Sequence, residues 1–439
     1  MKKSALALLA IMGVFVCNAA EANQGFFGGR PSIDGSINTR RSTVEQFDPI
    51  RGQSVAQRPR PDFDPTPIDI SSFQFFPSMT VAGYYDSNIY STNTGAKDDV
   101  VWKVDPAFAL VSNWGQHAVA ITGLADINRY TNNNAEDFDD GVLQAEGRYD
   151  IAQQTWLDGA LGYQRITEPR SSPNALGSAA APTNYNLMTA DVDAYRGVGQ
   201  LKAKALYGFR YYDYESVSLV GGGSALQNAR NRAYNRGGAE VSYDYTENFK
   251  PFVRGNYETR DYQTSAQRSS NGYTVDVGAT MDFGGITTGE AYVGYLNRDY
   301  YNFANNTVDA VDFGGRLLWN VTELTSVEGE ASRSIEETTV GGVNNPAAAT
   351  AILDTGASVT VTHELRRNVI LEANAMYENR NYQSSTREDN VYGIGGGSRY
   401  FISRNFFADL TYDFTSQTSN SPGSGYDRHI VLVRLGSQY

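Results

Sequence analysis

The sequence has little of what most enzymes and helical membrane proteins depend on. Its 439 residues include one cysteine and three histidines. Beyond the N-terminal region no apolar run approaches the roughly 18 residues that a transmembrane helix needs, which excludes a polytopic helical membrane protein. Basic residues are also scarce: 36 Lys and Arg stand against 49 Asp and Glu, so the net charge is −13. This balance disfavours a nucleic-acid-binding surface, and no nucleic-acid partner is expected.

The single cysteine, Cys17, lies in an N-terminal segment that is typical of a secretory signal peptide, MKKSALALLAIMGVFVCNAAEA. Two lysines precede an apolar stretch, and Ala20-Glu21-Ala22 has the small residues of a cleavage site. We therefore expect residues 1–22 to be removed. The remaining chain has no thiol, so it can cross an oxidising periplasm without mispairing. It also has no thiolate for nucleophilic catalysis or for zinc and iron–sulfur sites.

The chain is rich in residues that favour strands and turns, with 29 Tyr, 20 Phe and 43 Gly. From Phe73 onward, segments of about 12 to 17 residues alternate in polarity with a period of two. The connections between these segments are alternately short and long, and they are polar. The short ones fall near Trp114-Gly115, Ala152-Gln153, Gly197, Asn248, Gly284-Gly285, Thr322, Leu365-Arg366 and Arg404. The longer ones fall near 91–97, 131–139, 168–185, 216–230, 265–270, 302–307, 338–349, 384–388 and 418–425.

These connections predict an all-β fold, a transmembrane antiparallel up-and-down β-barrel of about eighteen strands. Strict alternation of short periplasmic turns and longer external loops is typical of such barrels. Sixteen strands is the alternative, because strand boundaries are the least certain part of a sequence-based prediction. The predicted domains are a signal peptide at 1–22, a disordered periplasmic N-terminal extension at 23–72 and an outer-membrane barrel at 73–439. The extension is rich in Pro, Arg and Asp without periodicity, which favours a passive linker over a tether or lumen plug.

Charged and apolar residues occupy opposite faces of the predicted strands. Along 251–262, Val253 and Tyr257 fall on one face, and Arg254 and Arg260 fall on the other. In a transmembrane barrel the charged face lines the water-filled interior. The predicted pore-lining residues are Lys202, Lys204, Arg210, Arg254, Glu258, Arg260, Arg298, Arg316, Glu372, Glu378, Arg380 and Arg399.

A Tyr-x-x-Arg-x-Tyr repeat recurs where several strands approach the external loops. Its first tyrosines, Tyr257, Tyr295 and Tyr377, are predicted to lie at the membrane interface, where a tyrosine ring contacts lipid and its hydroxyl contacts water. The arginine of each repeat then points inward. The alternative interpretation makes these arginines a ligand-contacting belt at the outer mouth.

No motif in the sequence indicates catalysis, a metal or a cofactor. The three histidines, His117, His363 and His429, have no serine that marks a hydrolase pair. The acidic pair Glu336-Glu337 is interpreted as solvated loop charge, and the acidic run at 136–140 lacks the spacing and glycine of a calcium loop. We therefore expect a protein that is not an enzyme.

Several stretches resemble the putative β-barrel porin 2 family of Gram-negative outer membranes. They include FFPSMTVAGYYDSNIYSTNTGAKDDVVWKVDPAFALVSNWGQHAVAITG, RSSPNALG, YVGYLNRDYYN and HELRRNVILEANAMYENRNYQ. The resemblance implies an outer-membrane barrel, often linked to the export of exopolysaccharide, capsule or holdfast-like polymers. It makes a conduit for a surface exopolysaccharide the leading functional hypothesis. The alternatives are a general diffusion porin for small hydrophilic solutes and a closed structural or adhesive barrel.

The expected partners follow from this interpretation. They are outer-membrane lipid, a polysaccharide with its periplasmic export components, and the barrel assembly machinery. The last strand, HIVLVRLGSQY, places Val431, Val433, Leu435 and Tyr439 on one face and ends in an aromatic residue. This pattern matches the C-terminal signal that the assembly machinery binds.

Overall fold

A computed structural model describes residues 52–301, 307–341 and 348–439 of the chain. Its main feature is one antiparallel sheet in which eighteen long strands follow each other in chain order. They are β1 Phe73–Asp86, β2 Asp99–Ser112, β3 Ala118–Tyr130, β4 Phe138–Ala152, β5 Thr155–Thr167, β6 Asn184–Val198, β7 Leu201–Tyr214, β8 Arg232–Tyr243, β9 Phe249–Tyr262, β10 Ser270–Phe283, β11 Thr287–Tyr300, β12 Thr307–Thr322, β13 Thr325–Glu336, β14 Ile352–Arg366, β15 Val369–Tyr382, β16 Glu388–Phe401, β17 Phe406–Ser419 and β18 Tyr426–Gln438.

The sheet closes on itself. Strand β1 pairs with β2 and also with β18, in a register that runs from Ser78 opposite Gln438 to Asp86 opposite Ile430. Every long strand therefore has two hydrogen-bonded neighbours, and the ring of eighteen strands has no open edge. A short strand, Ile68–Ile70, joins the same sheet by pairing with the start of β1. The predicted eighteen-stranded antiparallel barrel is confirmed.

Short and long connections alternate around the barrel as the sequence predicts. The link between β4 and β5 is two residues long, whereas sixteen residues, 168–183, join β5 to β6. The first strand begins, and the last strand ends, at the short-turn end, which in such barrels faces the periplasm. No helix in the part of the chain that the structure describes is long and apolar enough to cross a membrane.

The two faces of the wall differ sharply in polarity. On β9 the side chain of Val253 is 54% exposed, whereas Arg260 on the opposite face is 4% exposed. The exposed apolar residues lie on the convex face, because charged residues on the other face reach partners several strands away. Arg260 on β9, for example, pairs with Glu337 at the end of β13. Such contacts are possible only on the concave side, so the apolar face meets lipid and the charged face surrounds the lumen.

One inward-facing glycine is expected to be essential for the packing of the wall. A Cβ atom at Gly294 of β11 would overlap the carbonyl oxygen of Val275 and the carboxylate of Asp276 on β10. Gly294→Val should therefore separate these strands and destabilise the barrel by about 1–3 kcal/mol. The midpoint temperature of the shift between compact and heat-denatured gel mobility measures this effect.

The matched control is Gly255→Val, on the lipid-facing side of β9. A Cβ atom at Gly255 would lie 4.0 Å from its nearest neighbour, the carbonyl oxygen of Thr274. This variant should unfold at the wild-type temperature. Equal midpoints for Gly294→Val and Gly255→Val would contradict the packing argument.

Part of the predicted N-terminal extension contacts the periplasmic end of the barrel. Val55–Gln57 forms a single 3-10 turn, and the backbone N–H of Val55 donates to the hydroxyl of Ser326 on β13 at 3.0 Å. Val55 itself is fully buried. The guanidinium of Arg60 lies 3.4 Å from the carboxylate of Glu364 on β14.

The same segment continues towards the last strands. The side chain of Arg404, in the turn after β16, donates to the carbonyl of Pro61 at 2.8 Å, and Gln438 donates to the carbonyl of Phe63 at 3.0 Å. Residues 54–63, here named the N-terminal strap, thus follow the periplasmic rim of the barrel from β13 to β18. This differs from the disorder expected for residues 52–72, because a few side chains bind specific partners on the rim. Residues 23–51 and the predicted signal peptide lie outside the described residues.

Candidate functional site

All twelve predicted pore-lining residues lie on the inner face of the barrel. Ion pairs hold several of them, including Lys204 with Asp193 at 3.4 Å and Arg399 with Asp409 at 2.8 Å. Their position follows from the alternation of side chains along each strand. The structure therefore brings these residues together on one surface, while their role in transport stays a prediction.

The three tyrosines predicted for the membrane interface lie on the outer face. Tyr257, Tyr295 and Tyr377 are all exposed. The hydroxyl of Tyr295 donates to Asp309 at 2.5 Å, and that of Tyr377 donates to Asn390 at 2.7 Å. A ring facing outward with a hydroxyl on a polar neighbour suits the boundary between lipid and water, and this role stays a prediction.

Acidic residues outnumber basic ones on the inner face of the described strands. The acidic residues are Asp86, Asp99, Asp105, Asp126, Asp140, Glu146, Asp150, Asp158, Asp191, Asp193, Glu240, Glu258, Asp276, Asp282, Glu290, Asp312, Glu328, Glu330, Glu336, Asp354, Glu364, Glu372, Glu378, Asp389, Asp409 and Asp413. The basic residues are Lys103, Arg148, Lys202, Lys204, Arg210, Arg232, Arg236, Lys250, Arg254, Arg260, Arg298, Arg316, Arg380, Arg399, Arg428 and Arg434. The wall of the lumen thus carries an excess of carboxylates.

One arginine of this wall is shared by three carboxylates. The guanidinium of Arg254 lies 3.2 Å from Asp276, 3.5 Å from Glu290 and 3.8 Å from Glu240. Its side chain is 11% exposed, whereas those of Glu240 and Glu290 are 29% and 26% exposed. Glu240 and Glu290 are therefore more accessible to a passing solute than the guanidinium of Arg254, whereas Asp276 is buried, at 3% exposure.

Two long external loops meet across the outer mouth. They are loop 168–183, between β5 and β6, and the connection between β13 and β14, of which residues 337–341 and 348–351 are described. The side-chain oxygen of Asn174 accepts hydrogen bonds from the N–H of Thr339 at 2.7 Å and from the hydroxyl of Thr338 at 3.2 Å. Seven strands lie between β5 and β13 on one side of the barrel and nine on the other, so these loops reach each other only by crossing the opening.

A buried carboxylate fixes the second loop to the wall. Glu337 accepts hydrogen bonds from the hydroxyls of Tyr262 at 2.9 Å and Tyr300 at 3.1 Å, and from the guanidinium of Arg260. Burial alone would raise the pKa of Glu337, but the positive charges of Arg260, Arg298 and Arg232 outweigh burial and lower the pKa below its usual value. The carboxylate is therefore ionised at neutral pH.

The first loop is held by two further ion pairs. Glu168 binds Arg230 of the β7–β8 connection through two hydrogen bonds, of 2.6 and 2.9 Å, and both side chains are buried. Arg170 binds Glu136 of the β3–β4 connection at 2.6 Å. Buried, two-pronged pairs between guanidinium and carboxylate are among the strong polar contacts of proteins. Four external connections thus form one interlocked set across the mouth.

The expectation that Glu336-Glu337 is solvated loop charge is wrong for Glu337. Its side chain is 6% exposed, because the loop folds inward onto tyrosines and an arginine of the wall. The sequence contains a partial signal: Arg260, Tyr262 and Tyr300 all belong to the predicted repeat. Inward arginines without an obvious partner at the outer mouth indicate that an acidic loop residue docks there.

The side chains of the three histidines lie in separate places in the part of the chain that the structure covers. The Nδ1 atom of His117 accepts from the N–H of Asp150 at 3.0 Å, that of His363 lies 2.9 Å from the hydroxyl of Thr325, and that of His429 lies 2.9 Å from the hydroxyl of Tyr412. Within residues 52–301, 307–341 and 348–439, no three His, Cys, Asp or Glu side chains are grouped as a metal site requires.

Comparisons with known proteins identify one family whose model matches most of the chain. Residues 60–439 match the family described as Putative beta-barrel porin 2. Among solved structures, OpdK from Pseudomonas aeruginosa is 11% identical with a TM-score of 0.45, over 83% of this chain and 99% of that one. OccAB3 from Acinetobacter baumannii is 8% identical with a TM-score of 0.44, also over 83% and 99%. No curated protein matches the sequence.

A closed antiparallel barrel with an apolar outer band and a charged lumen defines an outer-membrane porin. The match to the family covers nearly the whole described chain. The chain belongs to the putative beta-barrel porin 2 family. The signal peptide and the binding of the assembly machinery to the last strand stay predictions.

Proposed function

We propose that this porin is a diffusion channel for small hydrophilic solutes. The observation that carries the proposal is the contact between loop 168–183 and residues 337–341 across the outer mouth. Solutes must pass beside these loops, because buried ion pairs hold both loops to the wall. A restricted mouth above a charged, hydrated lumen suits small molecules that diffuse singly.

Export of a surface exopolysaccharide stays a prediction that rests on the family resemblance. A sliding glycan chain needs a continuous opening through both mouths at once. The contacts of Asn174 with Thr338 and Thr339 would have to break before such a chain could thread the outer mouth. This requirement favours the small-solute channel.

The size of solutes that enter the channel tests the proposal. The refolded protein is inserted into planar bilayers, and neutral polyethylene glycols of increasing size are added to the external side. Glycols of monosaccharide and disaccharide size should lower the conductance, because they enter the lumen and displace ions. Long glycols should leave it unchanged.

Proteoliposome swelling with neutral sugars provides an independent measurement. Monosaccharides should enter quickly, and entry should slow steeply for longer oligosaccharides. Rapid entry of long glucans, or a conductance lowered by long glycols, would contradict the proposal in favour of a polymer conduit. The absence of both conductance and swelling, with the compact gel mobility retained, would favour a closed barrel.

A further inference from the structure

We propose that the lumen selects small cations, including organic cations such as lysine, over anions of the same size. This inference rests on the proposed diffusion function and names its substrate class. It follows from the charge of the inner face, on which carboxylates outnumber guanidinium and ammonium groups along the described strands. The low-dielectric wall of a channel focuses such an excess on the solutes inside.

The excess of acidic over basic residues is found at individual levels of the wall as well as over the whole inner face. Arg254 stands among Asp276, Glu290 and Glu240, which leaves a net negative charge at that level. On the neighbouring strands the register places Arg316 of β12 between Glu290 and Glu330. A ladder in which single cations alternate with two or more carboxylates gives a cation successive weak sites along the wall.

On strands β6 to β11 the acid is the more accessible member of several of these pairs. The side chain of Arg210 is 11% exposed against 30% for its partner Asp191, and Glu240 and Glu290 are likewise more exposed than Arg254. At an ionic strength of 0.1 M the screening length is about 10 Å, so a solute close to the wall still experiences these charges. A solute that passes this part of the wall therefore meets carboxylates before it meets guanidinium groups. On β16 and β17 the order is reversed, because Arg399 is 16% exposed and its partner Asp409 is fully buried.

Arginines at the outer mouth could have produced the opposite selectivity. Arg230, Arg260 and Arg268 are all buried. Glu168 and Glu337 neutralise the first two, and Arg268 donates to the carbonyl of Thr338. These three arginines anchor the crossed loops and do not present their charge to the solution, so they do not reverse the field of the lumen.

The reversal potential in a potassium chloride gradient tests the inference on the full protein. We expect a potential of the sign that cation permeation gives, with potassium several-fold more permeant than chloride. Lysine in place of potassium should still carry current. The double variant Glu240→Gln/Glu290→Gln should lower the permeability ratio several-fold, because it removes two accessible carboxylates beside Arg254.

The matched control is Asp261→Asn/Asp427→Asn, which removes the same charge from exposed positions on the outer face. It should leave the permeability ratio unchanged. Should the first double variant lose its compact gel mobility, Glu330→Gln, at an exposed position on the inner face, should still lower the ratio. An equal shift in the outer-face control would show that overall charge, not the lumen, sets the selectivity.

A conducting channel that is non-selective or prefers chloride would overturn the inference and leave the proposed diffusion function intact. The absence of current together with the absence of sugar entry would instead overturn the proposed function, and the inference with it. The two failures are therefore distinguishable. Entry of neutral sugars with potassium selectivity supports both.

Discussion

The variant Glu337→Ala is expected to conduct several-fold more current through a single channel than the wild type. Glu337 holds its loop across the outer mouth through Arg260, Tyr262 and Tyr300. Truncation removes the carboxylate and leaves the buried guanidinium of Arg260 without its main counter-charge, a change that costs about 3–5 kcal/mol in buried ion pairs. The loop can avoid this cost by leaving the mouth, which widens the path for ions.

The control for this prediction is Glu215→Ala, which removes another external ion pair. Glu215 binds Arg165 at 2.6 Å, but both side chains are about two-fifths exposed, at 42% and 40%. Exposed pairs contribute only about 0.2–1 kcal/mol, and this pair does not bridge the mouth. Its conductance should equal that of the wild type. If Glu337→Ala also conducts like the wild type, the contacts of Asn174 suffice to hold the loop.

The lowered pKa of Glu337 sets the pH at which the loop should open. A carboxylate with a folded pKa below its unfolded value of about 4.3 contributes stability that is complete above that unfolded value. This contribution is lost as the pH falls through the folded pKa. The conductance should therefore stay constant between about pH 5 and pH 8 and rise only in stronger acid. In Glu337→Ala the acid-induced rise should be absent, and titration of single-channel conductance measures both.

The barrel itself could be predicted from the sequence because its determinants are local. The alternation of Val253, Arg254 and Tyr257 depends only on the period of a strand, and the alternation of turn lengths depends only on neighbouring segments. An even strand count makes β1 and β18 antiparallel, so they can pair as every other neighbouring pair does. The same local logic placed all twelve predicted lining residues on one face.

The crossed loops could not be predicted, because their partners are distant in sequence. Asn174 and Thr338 are 164 residues apart, and neither belongs to a periodic pattern. Loop 168–183 contains few charges, so composition gives no reason to place it at a constriction. The N-terminal strap presents the same difficulty. Its proline-rich sequence is typical of a linker, and the burial of Val55 depends on a rim that only the closed barrel provides.

Removal of the N-terminal strap is expected to increase conductance from the periplasmic side. We compare a chain that lacks residues 23–51 with one that lacks residues 23–64, both exported behind the native N-terminus. Only the second deletion removes the contacts of Val55 with Ser326 and of Arg60 with Glu364. Because β1 still pairs with β18 from Ser78 onward, both proteins should keep the compact gel mobility.

The protein with the first deletion should conduct like the full chain. The protein with the second deletion should conduct more, because the periplasmic rim between β13 and β18 is then uncovered. The increase should persist in combination with Glu337→Ala, since the two obstructions lie at opposite mouths and act in series. For two resistances in series, the fold increase in conductance of the combined variant should exceed the product of the two separate fold increases. Each single variant is still limited by the obstruction that remains at the other mouth. Equal conductance of the two deletions would show instead that the strap lies clear of the ion path and serves only to fasten the N-terminal chain to the rim.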